Sequence, residues 1–279
     1  MEIVKLGTDL KLRISSFKSD GKSIGFVPTM GALHEGHLSL TEESVKNNDI
    51  TIVSIFVNPT QFNNPNDLKT YPITIEEDLE KLSTYHPDLV FIPEVHEIYP
   101  EPDSRVFNFG YLDQVMEGKN RPGHFNGVAQ VVSKLFNLVE PDNAYFGRKD
   151  FQQVAVIKQM VKDLELSIAV VSCPIIREKD GLAMSSRNLL LSDEERKNAS
   201  KISETLFKAR NLVPDLSVTQ LRDWVIEEVN KNPYLSVEYF EIVDDTKLLP
   251  VVSWEEANEK IGCITVQVGK VRLIDNVTF

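Results

Sequence analysis

Apolar residues in this chain come in short, nearly continuous runs, each ending in a turn and followed by a segment whose apolar residues recur three and four apart. Ile24 to Val27 is one such run, stopped by Pro28. Thr51-Ile-Val-Ser-Ile-Phe-Val57 is a second, Leu89 to Ile92 a third, Asn143 to Phe146 a fourth, and Ser167 to Ser172 a fifth that ends at Pro174. Runs without polar alternation are what strands of a parallel sheet look like when both faces are covered. The intervening segments predict helices over Leu10 to Phe17, over a stretch carrying Leu38, Leu40 and Val45, and from about Thr74 with Leu79 and Leu82 on one face. Two more are predicted over Val128–Val139, with Val131, Leu135, Leu138 and Val139 as its buried stripe, and from Gln153 to about Leu164. Strand and helix in alternation predict an α/β parallel sheet with helices on both faces. Asn63 to Tyr71 reads as polar loop and Tyr99 to Phe109 as irregular.

Beyond Ile175 the order changes. Ser192-Asp-Glu-Glu195 has the form of a capping box, and helices are predicted near Asp193–Leu212 and Ser217–Asn230. Three strand-like runs follow, Ser236–Val243, Cys263–Val268 and Val271–Ile274. The pattern predicts a larger domain over residues 1–175 and a smaller α+β domain over residues 176–279.

The stretch that organises the larger domain is Ser23-Ile-Gly-Phe-Val-Pro28-Thr-Met30-Gly31-Ala-Leu-His34-Glu-Gly36-His37-Leu-Ser-Leu40. It predicts a buried strand, a glycine-bearing turn and a helix. The first N–H groups of such a helix have no intrahelical partners and can face an anion. Gly31 and Gly36 admit a ligand close to the backbone, and His34 and His37, three apart, share a helical face. A solvated helix start is the plainer reading of the same residues. Neither G-x-x-x-x-G-K-[ST] nor G-x-G-x-x-G is present, so neither a P-loop nor a dinucleotide site is indicated.

Composition narrows the picture further. A chain of 279 residues, 42% hydrophobic and 26% charged, has ample material for a core. A formal net charge of −12 argues against a surface that coats nucleic acid. Cys173 and Cys263 form no C-x-x-C pair, so neither a disulfide framework nor a cysteine zinc site is expected. No apolar run approaches the roughly 18 residues of a membrane span, and Met1-Glu-Ile-Val-Lys5 lacks the form of a signal peptide, so no membrane partner and a cytoplasmic location are expected.

Four more loops carry polar groups beside predicted strands or helix starts: Asn58–Phe62, Arg121–Gly127, Gly147–Gln153 and Arg177–Asn188. Taken singly, each has a plain structural reading; Lys149 and Asp150, for instance, suit a surface ion pair. Taken in order, Pro28-Thr-Met-Gly-Ala-Leu-His-Glu-Gly-His37, Phe56-Val-Asn-Pro-Thr-Gln-Phe62, Arg121-Pro-Gly-His-Phe-Asn-Gly-Val128, Phe146-Gly-Arg-Lys-Asp-Phe-Gln-Gln153 and Met184-Ser-Ser-Arg-Asn188 resemble the pantothenate synthetase (pantoate–β-alanine ligase) family. The resemblance runs to Arg272-Leu-Ile-Asp-Asn276 and so covers nearly the whole chain. The wider relatives are the H-x-G-H nucleotidyltransferases, including class I aminoacyl-tRNA synthetases.

The resemblance implies a Rossmann-like nucleotidyltransferase domain that binds nucleotide and pantoate, with a smaller C-terminal α+β lid domain. It implies a ligase that uses ATP and Mg²⁺ to make pantoyl adenylate and pyrophosphate, then lets the amine of β-alanine displace AMP. It places Met30, Gly31, Ala32, Leu33, His34, Glu35, Gly36, His37, Gly147, Arg148, Lys149, Asp150, Ile176, Met184, Ser185, Ser186 and Arg187 at the ATP site, with His37 as catalytic proton donor. Gln61 and Gln153 would hold pantoate, since an amide both donates to a carboxylate and accepts from hydroxyls, and Gln61 would also border β-alanine. Arg121 and His124 are second-rank members of the pocket. Glu77 and Asp78 fall where the family tends to place carboxylates near the metal, but a solvated helix face suits them equally, so no metal ligand is assigned. Ile73 stands where the family commonly shows arginine. The family also implies a homodimer through the larger domain.

Three other readings compete. A relative transferring a nucleotidyl group to another small acid or phosphorylated acceptor would favour Arg or Lys in place of Gln61 and Gln153. A metal sensor built on His34 and His37 lacks a third ligand. A tRNA synthetase would want a basic extension, which the acidic chain does not have.

Overall fold

The computed structural model describes residues 1–63, 65–256 and 259–279, with Pro65 and Asp67 described by backbone alone. Two units emerge, Met1–Arg148 with Gln153–Cys173, and Lys149–Gln152 with Pro174–Phe279. In chain order the first contains β1 (Glu2–Val4), α1 (Gly7–Ser19), β2 (Ile24–Thr29), α2 (Glu35–Asn47), β3 (Ile50–Ile55), α3 (Pro65–Thr70), α4 (Ile75–Ser83) and β4 (Leu89–Phe91). It continues with α5 (Val95–Ile98), α6 (Met116–Asn120), α7 (His124–Val139), β5 (Asn143–Gly147), α8 (Phe151–Asp163, its first two residues grouping with the second unit) and β6 (Ala169–Cys173).

The six strands form one parallel sheet in the order β1-β4-β3-β2-β5-β6. Successive residues of a strand face opposite sides, and the core divides accordingly. Phe26, Ile52 and Phe91 pack with Leu10 and Ile14 of α1 and Phe136 of α7. Val27, Val53 and Val90 pack with Leu38 and Leu40 of α2 and Leu82 of α4. Burial on both faces is why β2, β3 and β4 read as unbroken apolar runs, whereas β6, at the sheet edge, is buried only at Cys173. From β2 the chain winds one way through β3 and β4, then crosses back to β5 and β6, so the order reverses between β2 and β5.

Pro28 does not stop β2, contrary to the sequence expectation; it pairs with Ser54 and the strand runs to Thr29. The Ile24 carbonyl accepts from Asp142 N on the β5 side, whereas the Thr29 carbonyl accepts from Phe56 N on the β3 side. Pro28 shares the orientation of Ile24, toward β5, but pairing with β5 covers only Gly25 and Phe26. The N–H that proline lacks thus falls where the ladder has already ended.

Other boundaries differ for equally local reasons. β1 went unread because it is a short edge strand with only Val4 buried. The loop expected over Asn63–Tyr71 contains α3; Asn64 lies outside the described residues. α7 begins at His124, inside the expected Arg121–Gly127 loop. Gly127 is there for contact, since a Cβ at this position would lie 2.4 Å from the Thr60 carbonyl oxygen. The segment Tyr99–Phe109 has no regular structure, as expected, and Gln130 Nε2 ties it to α7 through the carbonyls of Asp103 and Arg105.

The second unit holds α9 (Asp193–Ala199), α10 (Lys201–Leu212), α11 (Val218–Asn230), β7 (Leu235–Asp244), β8 (Lys260–Val268) and β9 (Val271–Thr278). The strands make an antiparallel sheet, β7-β8-β9, whose inner face packs Phe240, Ile264 and Leu273 against Ile202, Leu206, Leu221 and Val225. The capping boxes at Ser192–Glu195 and Ser217–Gln220 are formed. The expected Asp193–Leu212 helix is two, split at Ser200; the apolar series Ala199, Ile202, Leu206 and Ala209 runs through the break unaltered, which is why the pattern reads as one helix.

Gly25 sets how closely α2 lies on β2: a Cβ there would sit 2.2 Å from Ser44 Oγ and 2.5 Å from Asn48 Nδ2. Gly25→Ala is expected to lower unfolding free energy by about 1–3 kcal/mol, the usual range for overpacking. Urea denaturation checks this; an unchanged midpoint would mean that α2 gives way without loss.

Candidate functional site

Ligands of parallel sheets bind at the carboxyl ends of strands where the order reverses. Here that is the exit of β2 beside β5. After Met30 the chain turns through Gly31 (φ 82) and Ala32 (φ 49), two successive residues in the left-handed region. For alanine this conformation costs roughly 1–2 kcal/mol. A buried carboxylate holds it: Asp78 Oδ2 accepts from Ala32 N at 2.9 Å and Oδ1 from Leu33 N at 2.7 Å. Thr74 Oγ1 donates the carboxylate's third hydrogen bond, its second at Oδ1, and Lys81 Nζ donates to the Leu33 carbonyl at 2.9 Å. Asp78 is therefore the anchor of the turn, whereas Glu77 is exposed.

The turn delivers the chain into α2, which His34 and His37 cap reciprocally. Gly36 N donates to His34 Nδ1 at 3.1 Å and His34 N donates to His37 Nδ1 at 3.4 Å, with ring centroids 4.1 Å apart. An imidazole nitrogen that accepts a hydrogen bond carries no proton, so each neutral ring bears its N–H at Nε2. The expectation of bare helix N–H groups facing an anion is modified accordingly. The rings engage two of those donors and the His34 carbonyl accepts a third, from His37 N at 2.8 Å; each ring carries an Nε2–H donor in place of the one it engages. Ala32 and Leu33 have buried side chains, and Glu35 is exposed with an oxygen near Tyr85 OH. Of the Met30–His37 stretch, the two histidines thus supply the polar side chains best suited to an anion.

Gln61 lies close by, in a 3₁₀ turn (Pro59–Gln61) capped by the Asn58 side chain. Its Nε2 donates to Met30 Sδ at 3.1 Å and its Oε1 accepts from Asn58 Nδ2 at 3.1 Å. Arg121 and His124 stand behind it. Arginine can only donate, so His124 Nε2 accepts from Arg121 Nη1 at 3.0 Å, and His124 Nδ1–H donates to the Gln61 carbonyl at 2.8 Å. These second-rank residues support the Gln61 backbone. A cavity of about 650 Å³ opens at the ends of β2, β3 and β4, lined by Met30, Gly31, Phe56, Asp78, Pro93 and Tyr99 among others. Gly147 ends β5, Arg148 follows it, and Gln153 sits half-buried on the first turn of α8.

The remaining expected site residues belong to the second unit and are connected there. Met184 N donates to the Ile176 carbonyl at 3.0 Å, Arg177 bridges Ala183, and the Ser185 side chain caps the turn carrying Ser186 and Arg187. Lys149 Nζ pairs with Asp150 at 3.2 Å, and the Lys149 carbonyl accepts from Asn276.

The structural roles of Asp78, Asn58 and Asn276 are not expected from the sequence, which suggests Asp78 only as a carboxylate near a metal or on a solvated helix face, Asn58 only as part of a polar loop, and no role for Asn276. Asn58 before Pro59 is a capping signal that could have been read; burial of Asp78 but not Glu77 was not visible in an acidic helix. Burial pushes the Cys173 thiol up to about 11, which keeps it protonated near neutral pH.

A parallel sheet that reverses order beside a histidine-capped helix defines a Rossmann-like α/β fold with its ligand-binding end at the exit of β2. The chain belongs to the pantoate-beta-alanine ligase family, ATP-dependent ligases that form an amide bond, whose model matches residues 2–278. A pantothenate synthetase of Porphyromonas gingivalis is 53% identical over 279 residues, covering 100% of this chain and 99% of its own. The crystal structure of pantothenate synthetase from Thermus thermophilus superposes with a TM-score of 0.93 at 40% identity, covering 99% of each chain. A pantoate-beta-alanine ligase from Francisella tularensis, solved with beta-gamma ATP and beta-alanine, gives 0.84 at 36% identity over 99% of this chain and 97% of that one.

Asp78→Asn places an amide N–H₂ against at least one of the backbone donors it must accept. It is expected to lower stability by about 1–3 kcal/mol, whereas Glu77→Ala, on the exposed side of α4, stays within about 0.5 kcal/mol of the parent. Equal effects in urea titrations would show that Asp78 does not anchor the turn.

Proposed function

We propose that the chain joins pantoate to β-alanine through pantoyl adenylate, with His34 and His37 donating from Nε2 to the triphosphate. The observation that supports this most is the reciprocal capping of α2, which gives both rings the same donor tautomer at the exit of the central strand. Pantoate is already ionised at neutral pH and needs no base. A carboxylate oxygen attacks the α-phosphorus, the bond from that phosphorus to the bridging oxygen breaks, and pyrophosphate leaves with the electron pair. Donors already aimed at the charge that builds on departing oxygen lower this barrier without reorganising; that is the role assigned to His37 as catalytic residue, with His34 beside it. The amine of β-alanine, having lost its ammonium proton to water, then attacks the acyl carbon and releases AMP.

Gln61 and Gln153 are assigned to pantoate, with Gln61 also bordering β-alanine. The Gln61 amide already makes both kinds of hydrogen bond, donating to Met30 and accepting from Asn58, as recognition of a hydroxy acid requires. Met30 to Gly36, Gly147, Arg148, Lys149, Asp150, Ile176, Met184, Ser185, Ser186 and Arg187 are assigned to the nucleotide, Lys149 and Arg187 as cationic partners of phosphate. No side chain is assigned to Mg²⁺: the described residues form no cluster of three or more metal-ligating side chains, and Asp78 is engaged by the turn. Mg²⁺ is instead proposed to arrive with the triphosphate as its counter-ion, bound by phosphate and water. No helix of the described residues is long and apolar enough to cross a membrane. Family membership supports a cytoplasmic homodimer formed through the first unit.

Pyrophosphate is expected from ATP and pantoate without β-alanine, and free AMP only once β-alanine is added. His37→Ala should slow the first step by about 10²–10⁴-fold, the usual worth of a group that hydrogen-bonds or protonates in the transition state. ADP and phosphate as products would replace this route with an acyl phosphate. A folded His37→Ala protein with parental adenylation would reduce His37 to a helix cap.

A further inference from the structure

Within the second unit, the last strand reaches back to a segment far away in sequence. Asn276 of β9 donates from Nδ2 to the Lys149 carbonyl at 2.9 Å. Burying an amide is favourable only where it is well hydrogen-bonded, and Asn276 is 4% exposed. Its backbone is fixed at both polar groups by one ion pair. Asp275 Oδ1 accepts from Asn276 N at 2.7 Å, and Arg177 Nη2 donates to the Asn276 carbonyl at 3.2 Å. Arg177 and Asp275 close the arrangement with two parallel hydrogen bonds at 2.7 and 2.9 Å, a fork geometry that resists rotation of either partner. The Arg177 guanidinium also lies 4.9 Å over the Phe207 ring, a cation–π contact that adds to its restraint.

The segment that receives this hydrogen bond joins β5 to α8, yet Lys149–Gln152 groups with the second unit. Nothing in the pattern of strands and helices requires that. The Asn276 contact is a specific link that supplies it, and it acts on the backbone of the residue whose ammonium is assigned to phosphate. Lys149 is itself largely buried, its ammonium 3.2 Å from Asp150, so a small displacement of its backbone redirects the charge.

We propose that Asn276 is a positioning residue for Lys149: the Arg177–Asp275 pair fixes Asn276, and Asn276 fixes the backbone from which Lys149 addresses the nucleotide. The proposal rests on the assignment of Lys149 to phosphate under Proposed function. A double-mutant cycle tests it, read as single-turnover pyrophosphate release from ATP and pantoate in the full chain. Asn276→Ala is expected to lower the rate of adenylation about 10-fold or more while the pantoate KM stays within about 3-fold, the signature of an interaction that matters in the transition state. Asn276→Ser, which keeps a polar group in the pocket but is too short to reach Lys149, should behave alike and stands in if the alanine variant does not fold. In the Lys149→Ala background either substitution should cost less than about 2-fold, because its effect runs through the side chain already removed. The same loss in both backgrounds, or a folded Asn276→Ser protein with the parental rate, would overturn the positioning role and leave the Lys149 assignment standing. A parental rate in Lys149→Ala alone would overturn the assignment and this proposal together.

Discussion

A helix start has more N–H groups than it has acceptors, and at the centre of this protein two imidazoles supply the difference. Each ring accepts a backbone hydrogen bond at Nδ1, so each carries its proton at Nε2 when neutral. A structural requirement and a chemical one are met by the same pair of contacts. A carboxylate or hydroxyl would cap α2 equally well, but neither would leave a ring N–H donor of fixed identity.

The capping depends in turn on where β2 lets go of the sheet. Pro28 lies on the side facing β5, beyond the last residue paired with that strand, so its missing N–H orphans no partner while β2 stays paired with β3 to Thr29. The left-handed pair Gly31 and Ala32 then reverses direction, and Asp78 compensates the strain by accepting from the two N–H groups that follow Gly31. The cost of a strained non-glycine residue is small beside that of burying an unpaired carboxylate. Asp78 and the turn thus stabilise each other. Gln61 is held by comparable means, through the Arg121–His124 relay to its carbonyl and the Asn58 amide at its side chain.

Most of this architecture was legible in the chain. Strands buried on both faces read as apolar runs, helices as periodic stripes, and the glycine and histidine turn as a helix entry beside a strand end. What was not legible depends on partners distant in sequence. Asp78 and Glu77 look alike in an acidic helix, and only packing of α4 on the turn buries one of them. Gly127 looked like loop because its role, letting the Thr60 carbonyl approach α7, leaves no local trace. The break at Ser200 is invisible because the apolar series passes through it. The assignment of Nδ1 and Nε2 needed coordinates, since spacing places two histidines on one face but does not say what either nitrogen touches.

The most direct test of the account is the tautomer of His34 and His37, read from the imidazole ¹⁵N shifts of the full chain at a pH where both rings are neutral. Both are predicted to show an unprotonated Nδ1 and a protonated Nε2, with His124 in the opposite state as an internal contrast. Nδ1–H at either His34 or His37 would mean that the ring does not cap α2, and the donor geometry proposed for the triphosphate would fail with it.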